Sequence, residues 1–146
     1  MILLKTSIVI ITFLFMEFVA WFAHKYIMHG FLWFLHRDHH QVDKNKKFQK
    51  NDYFFLIFAV PSIICLVAGA EDYNYLFFIG LGILLYGLAY FMIHEVIIHR
   101  RLPPPSKTKS KYIIAIRKAH KIHHKNRNKE HCINFGMLIV PIKYFK

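Results

Sequence analysis

Ten of the chain's eleven histidines fall in four short clusters. The clusters alternate between two spacings, a pair five residues apart and a His-x-x-His-His run. In chain order they are His24 and His29; His36, His39 and His40; His94 and His99; and His120, His123 and His124. A lone histidine is usually a solvated or core residue. Two copies of one ordered pattern instead favour a metal centre, because neutral imidazole is a common ligand for iron, copper and zinc.

Helical geometry predicts how each cluster presents its imidazoles. On an α-helix, residues three and four apart share a face, so each His-x-x-His-His run offers three imidazoles together. Residues five apart are separated by about 140° at roughly 100° per residue. We therefore expect His24 and His29 to flank a site and not to lie on one stripe of the helix.

The elements that carry these clusters have the composition of a membrane protein, with 55% hydrophobic and 17% aromatic residues. Residues 6–23, 53–70 and 75–93 are each long and apolar enough to cross a bilayer. A cleaved signal peptide is the alternative for the first stretch, but a cut near Ala20 would detach the first histidine pair from its helix. The expected fold is all-α, a single membrane-embedded domain over residues 1–146 with three spanning helices and additional interfacial helices.

The shorter segments should pack at one membrane interface. Residues 30–35 are too short to span and suit an interfacial helix with Trp33 at the headgroup level. A helix from about Tyr112 to Lys125 should carry the last histidine cluster. The apolar tail, residues 132–145, is interrupted by Pro141 and is expected to form a cap at the interface.

Charge distribution predicts the orientation in the lipid bilayer. The 71–74 turn is acidic, whereas both connectors that flank the last two spans are strongly basic. The positive-inside rule then puts the N-terminus and this turn outside and all four histidine clusters on the cytoplasmic side. Because the basic segments adjoin spans, topology and anionic lipid explain them, and we expect no nucleic-acid partner.

Four further residues are candidate partners of the liganding histidines: Glu17, Asp38, Glu95 and His131. Glu17 lies inside the first span, where an ionisable group usually faces the interior of a bundle; the alternative is that it is hydrated in the interfacial zone. Asp38 lies inside the second cluster and Glu95 beside His94. His131 lies outside the clusters and suits a surface or supporting position better than that of a ligand.

Two other function classes fit less well. A bis-histidine haem carrier would need histidines on two spans at membrane depth, whereas the clusters lie at span ends. A divalent-metal transporter should line its spans with polar groups, and apart from Glu17 few are present. The segment HEVIIH resembles a zinc-protease motif, but its histidines are five apart and not four.

The cluster order and the surrounding sequence resemble the membrane-bound fatty acid hydroxylase superfamily, and within it the bacterial beta-carotene hydroxylases. The segments that carry the resemblance are MEFVAWFAHKYIMHG, YGLAYFMIHEVIIHRR, AHKIHH and KEHCINFGML. It implies that the ten clustered histidines bind two non-haem irons in a bacterial inner membrane. One departure is His131, where this family is expected to have a small residue.

The resemblance also implies a reaction and its partners. The enzyme would use O2 and electrons from reduced ferredoxin to convert beta-carotene to zeaxanthin through beta-cryptoxanthin, by hydroxylating the 3 and 3′ ring carbons. The alternative within the superfamily is hydroxylation or desaturation of a fatty acid or sterol.

The basic cytoplasmic face suggests how an anionic electron donor would reach the enzyme. Positive charge accelerates encounter with an acidic partner, so reversing Lys44, Lys46 and Lys47 to Glu should slow reduction by ferredoxin. The alternative is that these charges only orient the protein and hold anionic lipid.

Overall fold

The structure, a computed structural model, describes residues 1–43, 48–103 and 109–146, and this part of the chain contains only helices, turns and irregular segments. The α-helices are α1 Ile2–Phe22, α2 Trp33–His40, α3 Phe54–Gly69, α4 Tyr75–Phe91 and α5 Lys111–His123. Two π-helices, which we label π1 and π2, span Ala23–Phe31 and Met92–Ile98. Short 3₁₀ turns cover Lys50–Tyr53 and Ile142–Phe145. The predicted all-α fold is confirmed.

Among the described residues, three helices are long and apolar enough to cross a bilayer: Ile2–Phe31, Lys50–Gly69 and Tyr75–Ile98. The first is kinked at Gly30. The first and third extend well beyond the apolar stretches from which they were expected. In both, a π-helix continues the span beyond the C-terminal end of the α-helix, at Ala23–Phe31 and Met92–Ile98. His24, His29 and His94 therefore lie on the spanning helices themselves, and His99 directly follows the last residue of the third one.

The spans pack where small residues let backbones approach. A β-carbon added at Gly80 would lie 2.7 Å from the Leu66 backbone nitrogen, and one at Gly82 would lie 2.7 Å from the Thr12 side chain. Ser62 Oγ donates to the Gly80 carbonyl at 2.9 Å, which joins α3 to α4. At Gly87, by contrast, a β-carbon would meet nothing within 4 Å, so this third glycine does not serve the packing.

Most of the remaining span surface is apolar and uncovered by protein. Ile11 is 65% exposed and Val67 72% exposed, in keeping with side chains that face lipid. The protein core is correspondingly small and centres on Met16, Ala20 and Tyr86. Such a surface makes the chain an integral membrane protein, because a soluble monomer rarely exposes so large an apolar area.

Helix α5 and the tail close one end of the bundle. Ala115 and Ala119 of α5 pack against Tyr144 of the tail. The tail packs as the expected cap, but it also crosses the helices that carry histidines, where its backbone bonds to them. Lys44, Lys46 and Lys47, in the first connector, and Pro104 and Pro105, after the third span, lie outside the described residues.

Candidate metal centre

His24, His29 and His94 lie on π-helices, in which backbone hydrogen bonds join residues five apart, and His99 is the residue that caps the second π-helix. The His99 N–H donates to the His94 carbonyl at 2.9 Å, so the two members of that pair are themselves joined by a π-type bond. Their imidazole centroids lie 4.5 Å apart, and those of His24 and His29 lie 5.2 Å apart. The expectation that His24 and His29 would flank a site assumed α-helical geometry. The π-helix instead brings the two imidazoles of each pair together.

Among the described residues, nine of the ten clustered histidines form two groups in which the candidate ligand atoms lie within 4.8 Å of one another. The first histidine group contains His24, His29, His36, His40 and His123. The second histidine group contains His39, His94, His99 and His120. His124 belongs to neither, but its ring stacks on that of His40 at 4.4 Å and lies 4.5 Å from that of His120.

Each pair stays within one group, whereas each His-x-x-His-His run is divided between the two. His36 and His40 face the first group while His39 faces the second, and His123 and His120 divide in the same way. We expected each run to present its three imidazoles together. Each run instead contributes imidazoles to both groups. Helices α2 and α5 lie between the groups and contribute to both.

The two ring nitrogens of these histidines have different surroundings. Backbone carbonyls of Phe135, Asn126 and Ile133 accept hydrogen bonds from Nδ1 of His24, His40 and His123, at 3.0, 2.9 and 2.9 Å. A carbonyl oxygen can only accept, so each Nδ1 carries the proton and each Nε2 keeps a free lone pair. Outward Nδ1–H bonds of this kind fix the ring orientation of metal-binding histidines.

The Nε2 atoms fit a cation. His39 and His94 face each other with Nε2 atoms 3.2 Å apart, although Nδ1 of both rings donates elsewhere, to Gln49 at 2.9 Å and to Glu95 at 2.5 Å. Two lone pairs at that distance repel each other unless a positive charge lies between them. Adjacent ligands at roughly 2.1 Å from one ion lie about 3 Å apart, so the spacing suits metal coordination.

Four more Nε2 atoms are buried without a partner in the part of the chain that the structure describes; they belong to His24, His36, His40 and His124. Buried polar atoms normally have partners, so a set of this size fits the binding of a cation by these nitrogens. Burial also lowers the pKa of His99 to about 4 and that of His123 to about 3. The imidazoles are therefore neutral near pH 7, the form that binds metal.

Glu17 contacts the tail and not an imidazole. Its carboxylate accepts from the backbone N–H groups of Met137, Leu138 and Ile139 at 2.9, 2.9 and 3.0 Å, and from the Tyr86 hydroxyl at 2.7 Å. Its connection to the histidines is indirect, through the tail carbonyls. The side chain is buried within the protein, as the bundle-interior alternative requires, and is not in the hydrated interfacial zone.

The other three candidate partners differ from one another. Glu95 accepts from His94 Nδ1, so it contacts a member of the second group directly. Asp38 accepts from the Lys50 backbone N–H at 2.6 Å and bonds to no histidine among the described residues. His131 is exposed, lies outside both groups and has a φ of 60°, a left-handed conformation that glycine adopts without strain.

Sequence reasoning missed the residues that orient the rings from the other side. His36 Nδ1 donates to Asn51 Oδ1 at 2.6 Å, and His39 Nδ1 donates to Gln49 Oε1 at 2.9 Å. Arg101 donates to both carboxylate oxygens of Asp52, at 2.6 and 2.8 Å, and to Glu95 at 2.9 Å. The only signal for these residues was that each lies at the polar edge of a span.

The sequence model of the fatty acid hydroxylase family matches residues 9–143 of this chain. The chain belongs to the fatty acid hydroxylase family. A beta-carotene hydroxylase of Pantoea ananas is 40% identical over 92% of this chain and 76% of its own length. One from Paracoccus sp. (strain PC1) is 36% identical over 92% of this chain and 83% of its own length.

More distant relatives are longer proteins. The chloroplastic beta-carotene hydroxylase 2 of Capsicum annuum is 34% identical over 86% of this chain, which corresponds to 41% of that protein. No solved structure matches the chain. The resemblance drawn from the histidine clusters is confirmed at the level of the family.

Proposed function

We propose that this chain is a beta-carotene 3-hydroxylase that acts as one membrane-embedded domain with its histidine groups on the cytoplasmic side of a bacterial inner membrane. The observation that carries the proposal is the pair of adjacent histidine groups, with inward lone pairs and outward Nδ1–H bonds, at one end of an apolar bundle. The names of the relatives supply the substrate class, a carotenoid.

The histidines of the first group would hold one iron and those of the second group the other. Two irons bound there would supply the redox chemistry needed to split O2 and to break an unactivated ring C–H bond, and a separate donor would supply the two electrons that each turnover consumes. The overall reaction consumes O2, two electrons and two protons, and yields one hydroxyl group and one water.

The chain's own residues do the remaining work. Tail carbonyls, Asn51, Gln49 and Glu95 hold Nδ1–H groups and so keep each Nε2 pointing inward. The ring centroids of Trp33 and Phe135 each lie 5.1 Å from that of His29, and the two rings help to shield the first group from solvent. Shielding of this kind limits side reactions of a strongly oxidising site.

The substrate suits the architecture. Beta-carotene is a stiff hydrocarbon about as long as the ~30 Å apolar core of a bilayer is thick. It could lie in the lipid along the exposed faces of the spans, with one terminal ring at the end of the bundle where the histidines lie.

Hydroxylation or desaturation of a fatty acid or sterol is the second candidate, favoured by the description of the matching family itself. A bis-histidine haem carrier finds less support. All candidate ligand atoms within one group lie within 4.8 Å of one another, and the neighbouring imidazoles fill the space that a porphyrin would need.

Product analysis in carotene-accumulating bacteria tests the proposal. Cells that express the wild-type chain should convert beta-carotene to beta-cryptoxanthin and zeaxanthin, measured by chromatography and mass. His39→Ala and His123→Ala, one from each group, should abolish conversion and reduce bound iron without preventing membrane insertion, as should His36→Ala and His120→Ala. His131→Ala is the matched control, because His131 is exposed and outside both groups.

Unchanged beta-carotene with new hydroxy fatty acids or sterols in wild-type cells would favour the second candidate. A strong Soret band in purified protein would contradict the non-haem proposal. Near-normal turnover in two or more of the group variants would contradict a shared histidine site.

A further inference from the structure

Within the part of the chain that the structure describes, two cavities that lie beside the histidine groups differ in chemistry. One, of about 620 Å³, lies between α1 and the tail and is lined mainly by apolar side chains such as Phe18, Trp21 and Phe135. The other, of about 680 Å³, lies over the second group and reaches His99, His120 and His124 directly. Only the second combines direct contact with the histidines and a charged rim.

The rim of the second cavity is strongly basic. Four cationic residues line it, which we call the basic mouth: Arg117, Lys118, Lys121 and Arg127. None of the described residues that line this cavity is acidic. The spacing of Arg117, Lys118 and Lys121 puts them along one side of α5, next to His120 and His124 of the same helix end. The basic mouth is therefore a single anion-attracting surface at the entrance to the histidines.

The exposure of the histidines points to the same place. Eight of the ten clustered histidines are buried, and the two that remain partly exposed are His99 and His124. Both line the basic cavity. His99 Nε2 lies 2.9 Å from His120 Nε2, and the His124 ring lies 4.7 Å from that of His39. The second group thus reaches the protein surface at His99, with His124 beside it.

We propose that the basic mouth is the docking surface of an acidic one-electron carrier protein, and that electrons enter the second histidine group at His99, beside His124. The proposal rests on the proposed function, because only a redox reaction needs such a partner. Each docked carrier is oxidised by one electron. Two dockings supply the two electrons that, with O2 and two protons, give one hydroxyl group and one water.

Charge and desolvation distinguish this partner from other occupants. A hydrocarbon substrate would take four cations out of water and offer no counter-charge, which is costly. A phospholipid headgroup could pair with one or two of them. An acidic protein surface can form ion pairs with all four cationic side chains. Attraction between the two oppositely charged surfaces also raises the association rate, by about 10- to 1,000-fold.

The test uses the full-length protein in detergent and a plant-type [2Fe–2S] ferredoxin of net negative charge. We compare the wild type with Lys121→Glu/Arg127→Glu, which reverses two charges of the mouth. The matched control is Lys125→Glu/Lys143→Glu, which makes the same change in net charge at exposed positions that do not line the cavity. Binding is measured against ionic strength, and binding to phosphatidylglycerol vesicles is measured in parallel.

We expect the mouth variant to bind ferredoxin at least about tenfold more weakly at low salt, with the difference lost at high salt, and the control to bind nearly as the wild type. Equal weakening by both variants would overturn the proposal, as would loss of vesicle binding with ferredoxin binding unchanged. Product analysis of the wild type tests the function separately, because failure to hydroxylate carotene would leave the binding comparison intact.

Discussion

Glu17 is the residue whose replacement tests most directly how the tail supports the metal centre. Three backbone N–H groups of the tail and the Tyr86 hydroxyl all donate to it, so the site uses it as an ionised carboxylate. In Glu17→Gln, the amide oxygen has two lone pairs for three N–H donors. The hydrogen bonds that remain are made to a neutral acceptor and no longer to a charged one. We expect this change to loosen the tail.

The magnitude follows from the bonds lost. Hydrogen bonds to a charged group contribute about 1.5–3 kcal/mol net and neutral ones about 0.5–1.5, so three bonds each lose roughly 1 kcal/mol. The lower desolvation cost of the neutral amide offsets part of this loss. We therefore expect Glu17→Gln to weaken tail docking by about 2 kcal/mol, which is roughly 30-fold.

A loosened tail should also weaken metal binding, because its carbonyls orient His24 and His123. Loss of such a partner typically costs 10- to 100-fold in metal affinity, on the order expected here. The assays are tryptic cleavage at Lys143, in detergent, and iron retention against a chelator. Glu71→Gln, at an exposed position in the opposite turn, is the control. Wild-type cleavage and iron retention in Glu17→Gln would refute this account of Glu17.

Two further predictions concern span packing and the orientation of the second group. Gly80→Ala should reduce stability by about 1–3 kcal/mol in denaturant titration of micelles, because its β-carbon meets backbone atoms of α3, whereas Gly87→Ala should be neutral or stabilising. A comparable loss in both variants would contradict the packing described. Arg101→Gln should cost less than about 1 kcal/mol of stability, since the ion pair with Asp52 is partly exposed, yet lower iron retention about tenfold by freeing Glu95 from its place beside His94. Iron retention equal to wild type would show that Glu95 needs no such support.

The spans and the residues of the candidate metal centre were predictable because each depends on local sequence. Apolar stretches of about twenty residues can satisfy their backbone only as helices in a bilayer, whatever else the chain does. The repeated histidine spacing likewise identified ten residues without any knowledge of how they meet. The acidic turn at residues 71–74 was also local, and α4 begins directly after it, with Asn74 as its N-cap.

The arrangement of those residues depended on the tertiary structure. Whether a helix continues with α or π bonding is not determined by apolar pattern alone, so the convergence of His94 with His99 could not be derived from spacing. The division of His39 from His36 and His40 required knowing that α2 lies between two groups. The carbonyls that fix His24 and His123 belong to the tail, about 111 residues and 10 residues away in sequence, and every residue has such a carbonyl. Only packing decides which of them meets an imidazole.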